Sequence, residues 1–129
     1  MEQAKSRLKA DLKLLEKGLH TLSSALNEPF TDIVRDAVIQ RFEYVFELAW
    51  KTMQVAAQFQ GMTCNIPREA IKSAFKLGWI KNAEHWFEAM EARNKTSHTY
   101  NEELAGEVYK IAKKFPHSIQ ELLLSLKKN

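Results

Sequence analysis

At 129 residues, with 45% hydrophobic and 27% charged side chains, the chain is long enough to close one hydrophobic core and too short for two ordinary ones. Its 19 basic and 16 acidic residues are spread along the sequence, so the formal charge of +3 leans mildly toward polyanions and no further. The lone cysteine, Cys64, excludes an internal disulfide. Charges at Glu2, Lys5, Arg7, Lys9 and Asp11 leave no apolar core for a signal peptide, and no uninterrupted apolar run reaches membrane length. The expectation is a soluble, cytoplasmic protein with no membrane association.

With only 4 glycines and 3 prolines and no hairpin dipeptides, helical periodicity runs almost throughout, and the chain reads as all-α. Leu8, Leu12, Leu15, Leu19, Leu22 and Leu26 form the narrow apolar seam of a first helix, closed at Asn27–Pro29. A second helix is expected from about Thr31 to Gln60, with Gly61 as its stop. Its pattern is inverted. Asp36, Gln40, Glu43, Glu47, Lys51, Gln54 and Gln58 make a thin polar stripe, while Val38, Phe42, Val45, Phe46, Ala49, Met53 and Ala56 fill much of the rest, as in a helix covered on most sides.

Pro67 and Gly78 frame a short third helix. A fourth turns Ala83, Trp86, Phe87 and Met90 inward, leaves Glu84, Glu88 and Glu91 to water, and runs out near Arg93. Thr99 and Glu102 have capping-box spacing, which would start a fifth helix with Tyr100 in its first turn and Leu104, Val108, Ile111 and Phe115 inward. Pro116 would kink or restart it before Ile119, Leu122, Leu123 and Leu126. Without repeats or linkers, residues 1–129 read as one domain: a bundle of long antiparallel helices with the third as a short accessory helix.

No glycine-rich phosphate loop and no Cys or His cluster with zinc spacing is present, and Glu43 and Glu47 lack the Glu-x-x-His partners of a di-metal bundle. Neither a metal nor a cofactor is expected. The polar run Arg93-Asn94-Lys95-Thr96-Ser97-His98-Thr99-Tyr100 remains, between two helices. On spacing alone it is most simply a connection, with Arg93 ending one helix, Ser97 or Thr99 capping the next and His98 filling the loop. It also has the groups for metal-free RNA cleavage: a phosphate beside Arg93, Lys95 and the start of the fifth helix, with His98 exchanging a proton near neutral pH.

The segment resembles the signature of HEPN proteins, an Arg, a polar neighbour and a His after four to six positions, matched by Arg93, Asn94 and His98. Tyr100 completes the longer form found in HEPN proteins encoded beside a minimal nucleotidyltransferase. Arg41 to Lys51 (Arg41-Phe42-Glu43-Tyr44-Val45-Phe46-Glu47-Leu48-Ala49-Trp50-Lys51) resembles the second helix of the nucleotidyltransferase substrate-binding protein branch. The resemblance implies a HEPN-like four-helix up-and-down bundle that pairs as a homodimer, bringing two Arg–His loops around one groove. It implies an endoribonuclease toxin whose antitoxin, the nucleotidyltransferase, transfers AMP to the tyrosine. An older reading makes such a chain a non-catalytic subunit that binds a nucleotide or another substrate for the transferase.

On this reading Arg93 and His98 are catalytic, Asn94 and Ser97 are supporting hydrogen-bonders, and Tyr100 is the site of modification. Arg41, Glu43, Glu47, Lys51 and Lys95 are possible groove-lining residues, although Glu43, Glu47 and Lys51 read first as a solvated, ion-paired face. The partners are the nucleotidyltransferase, RNA or a nucleotide, and a second copy. Trp50, Trp79 and Trp86 read as packing, His20, His85 and His117 as surface or packing residues, and Cys64 as a packed residue. A helical dimer with a purely structural loop stays open.

Overall fold

The computed structural model describes residues 2–128, which form five α-helices and one short 3-10 turn. In chain order these are α1 (Glu2–Leu26), α2 (Asp32–Gln58), α3 (Pro67–Lys76), α4 (Ala83–Asn94), the turn Thr96–His98, and α5 (Glu102–Lys127). Helices α1, α2, α4 and α5 make an all-α bundle with α3 as the accessory, and no described helix is long and apolar enough to cross a membrane.

The inverted pattern of α2 places it at the centre. Val38, Ile39, Phe42, Val45, Phe46, Ala49, Trp50, Met53 and Ala56 are all buried, and the helix packs against each of the other four. Thr31 caps it, its hydroxyl accepting from the Val34 amide at 3.0 Å. The helix stops at Gln58, short of the Gln60 expected from periodicity, because Phe59 already closes the last turn and Gly61, at φ 75°, carries the chain away. Against α2, α1 lays the Leu15 and Leu22 side of its seam, and Gly18 leaves room for the Val45 and Leu48 side chains. A Cβ there would lie 3.1 Å from Val45 Cγ2 and 3.2 Å from Leu48 Cδ1.

An aromatic cluster joins three helices. Phe115 of α5 meets Phe42 and Trp86 edge-on, with ring centroids 5.1 Å away in each case, and Phe46 lies 6.1 Å from Phe115. Trp79 and Trp86 are buried, as is Cys64, whose thiol lies 3.3 Å from Ser73 Oγ. Pro116 neither ends nor restarts the last helix, which continues through it to Lys127. Phe115 on one side and Ile119 and Leu122 on the other are fully buried, and that packing outweighs the hydrogen bond a proline cannot donate.

The start of α5 departs from the capping-box expectation. Asn101, not Thr99, is the cap: its side-chain oxygen accepts from the amides of Glu103 and Leu104 at 2.9 and 3.2 Å. The Thr99 hydroxyl is used within the preceding turn, donating to the Thr96 carbonyl at 3.0 Å. Tyr100 therefore stands ahead of the helix, not in its first turn. The two helix starts at this end are tied by Arg35, a buried residue whose Nη1 meets Glu102 at 2.6 Å and whose Nη2 meets Asp36 at 3.0 Å.

Candidate functional site

The polar run lies over the last turn of α4, the 3-10 turn and the approach to α5. Arg93 is half-buried and turns back onto α2. Its guanidinium carbon sits 5.6 Å from the centre of the Phe46 ring, and its Nη2 donates to Glu47 Oε1. Since Phe46 belongs to the aromatic cluster, the arginine rests on the core itself. Glu47 is also held on its other oxygen, by the Trp50 indole N–H at 3.2 Å and by Lys51 Nζ at 3.9 Å.

Glu43, on the same side of α2, fastens the turn. The Thr96 hydroxyl lies 2.7 Å from Glu43 Oε2 and 2.8 Å from the Arg93 carbonyl, and its single proton serves one or the other. The polar stripe of α2, read from sequence first as a solvated face, thus carries the two carboxylates that receive the connection.

The other end of the run is open. His98 is exposed, its ring making no hydrogen bond among the described residues and meeting Tyr100 edge-on at 6.2 Å. Tyr100 is 83% exposed and stands open to solvent. Asn94 and Ser97 are also exposed, without side-chain partners among the described residues.

Two of the possible lining residues stand apart from the Arg93–Glu47 contact. Arg41 turns toward α1, donating from Nη1 to the Thr21 carbonyl at 2.6 Å. Lys95 sits on the rim of an open groove of about 450 Å³ between α4 and α5, with Phe87, Val108 and Ile111 beneath and Glu84, Glu88, Glu91 and Glu107 around it. That groove is acidic and repels a polyanion. The start of α5 is likewise no open anion seat: Asn101 fills its first amides, and Glu102 and Glu103 occupy its positive end.

Sequence reasoning missed Phe46 as the platform under Arg93, Trp50 as a donor to Glu47, Thr96 as the link to Glu43, and Arg35. The i,i+4 spacing of Glu43 and Glu47 signalled a shared side, but not what it faces. Hydrogen bonding to Glu102, then to Asp36, raises the pKa of Arg35 above its ordinary value against the opposing effect of burial, so its charge is fixed. Among the remaining histidines, His20 and His117 are exposed, whereas His85 buries an unpartnered Nε2. No group of His, Cys, Asp and Glu among the described residues is placed to hold a metal.

Residues 5–128 match the family described as nucleotidyltransferase substrate binding protein like. A Haemophilus influenzae protein named a probable ribonuclease HepT is 35% identical over 86 residues, 60% of this chain and 59% of that protein, so the match spans less than two thirds of that relative. A solved Thermus thermophilus protein superposes with a TM-score of 0.82 at 32% identity, over 88% of this chain and 98% of its own. A second, from Haemophilus influenzae, superposes with a TM-score of 0.69 at 27% identity, over 95% and 98%. Its structure is described as revealing the fold of a substrate binding domain of a nucleotidyltransferase.

Proposed function

The chain belongs to the nucleotidyltransferase substrate-binding protein-like family, and from that premise we propose that it is a HEPN endoribonuclease toxin paired with a minimal nucleotidyltransferase. The observation that carries the reading is a core-anchored cation, Arg93, on the same short connection as an exposed and unengaged imidazole, His98.

In metal-free cleavage a base removes the 2′-hydroxyl proton, the 2′-oxygen attacks phosphorus, and the bond to the 5′-oxygen breaks as that oxygen is protonated. Arg93 would stabilise the charge that builds on the phosphoryl oxygens, and His98 would move the proton. Asn94 and Ser97 stand free beside them to hydrogen-bond RNA. A single connection brings one imidazole, whereas the reaction uses a base and an acid. A two-fold homodimer, with both connections around one groove, supplies the second. Tyr100 Oη is open to AMP transfer from ATP with release of pyrophosphate. The added phosphate and adenosine would obstruct and repel RNA.

The test is cleavage of structured RNA by the purified full chain in chelator, expected in the wild type and lost in His98→Ala and Arg93→Ala. Activity that needs a divalent metal, or that survives both substitutions, overturns the catalytic reading. Inactivity of the folded wild type favours instead a non-catalytic subunit that binds a substrate for the transferase, in keeping with the Haemophilus fold's description as a substrate binding domain of a nucleotidyltransferase.

A further inference from the structure

A guanidinium presents neighbouring N–H groups that suit two oxygens of one carboxylate or phosphate. On Arg93 that fork is only partly filled. Nη2 donates to Glu47 Oε1, while Nε is buried with no partner among the described residues. The second Glu47 oxygen does not complete the fork, because it is engaged by Trp50 Nε1 at 3.2 Å and lies 3.9 Å from Lys51 Nζ. Glu47 is thus divided between two sets of donors, and it can leave Arg93 without losing its place on the other.

We propose that Glu47 is the resident counter-ion of a phosphate seat: an incoming phosphate group displaces its carboxylate from Arg93, takes the Nη2 and unfilled Nε donors together, and leaves Glu47 on Trp50 and Lys51. The inference rests on Arg93 contacting phosphate but not on turnover. Its consequence is selectivity. A small anion must compete with a tethered carboxylate for one arginine, whereas a longer ligand with further contacts along the connection can afford the exchange. Glu43 differs, because its partner is the Thr96 hydroxyl and not the guanidinium.

The reporter is the Trp50 indole N–H, which is bonded to Glu47 in a side chain only 9% exposed. The ¹⁵N-labelled full chain, its indole signals assigned with Trp50→Phe, is titrated with inorganic phosphate at constant ionic strength. The Trp50 signal should move in the wild type and stay still in Arg93→Ala. Glu47→Gln should bind phosphate up to about five-fold more tightly, the equivalent of a partly exposed ion pair released from competition. Glu47→Ala, which removes the carboxylate altogether, should tighten binding in the same direction and covers a folding defect in the first variant. Arg93-dependent binding without tightening in either variant, or with a silent Trp50, overturns the displacement and leaves the phosphate seat standing. An equal gain from Glu43→Gln would reduce the effect to general electrostatics and also overturn it. No Arg93-dependent binding in wild type or variants removes the seat itself.

Discussion

Arg93 reaches back from the end of α4 onto the Phe46 ring and the Glu47 carboxylate, whereas His98, on the turn that follows, lies in the open with only the edge of the Tyr100 ring beside it. The first is held by the same aromatic packing that holds the bundle together. The second contributes almost nothing to the fold. Stability and the proposed chemistry should therefore separate along this one connection: what orients the cation cannot be removed without cost, and the exposed imidazole can.

The largest effect should come from removing the platform. Phe46 is fully buried, so Phe46→Ala should lower unfolding free energy by about 3–5 kcal/mol in a denaturant titration and abolish RNA cleavage with His98 intact. Activity that persists after this change would break the proposed link between the core and Arg93.

At the open end, incubation with ATP and the cognate nucleotidyltransferase should add whole units of AMP to the peptide holding Tyr100, read by mass spectrometry and absent in Tyr100→Phe. Because Tyr100 is 83% exposed, that variant should unfold within about 0.5 kcal/mol of the wild type. A larger loss would mean that this end of the connection is structural after all.

The smallest effect lies away from the connection, on α1. Burial raises the Asp11 pKa from its ordinary 3.8, only partly offset by Arg7 at 3.9 Å. A carboxyl with a raised folded value binds its proton more tightly when folded, so stability falls as pH rises from 3.8 through that higher value. Asp11→Asn should gain less than about 0.5 kcal/mol at neutral pH, and the gain should vanish below the unfolded value. Thermal melts across that range check both the sign and the pH at which the gain disappears.

Much of the fold was legible because periodicity reports burial directly. The thin polar stripe of α2 marked it as central, and Gly78, at φ 81°, marks the turn that ends α3. The start of α5 was not legible, since Thr99 and Asn101 are both able to cap. The choice was made by a 3-10 turn that uses the Thr99 hydroxyl internally, and short turns of that kind leave no periodic trace. For the site, sequence placed Arg93, His98 and Tyr100 on one connection. It could not say that Arg93 would face Glu47, or that Arg41 would face Thr21, because both depend on which helix lies alongside.

Arg35 gives the connection a mechanical character. One end is fastened to α2 through Arg93 and Glu47, and the other through Glu102 and Arg35, so residues 94–101 form a closed ring on a rigid rod. A short tether pinned at both ends explores little space. Under the proposed function it would keep the His98 imidazole at high effective concentration around a ligand on Arg93, while leaving it free to turn. Releasing Glu102 from Arg35 would lengthen that tether and dilute the imidazole without touching either group proposed to meet the ligand.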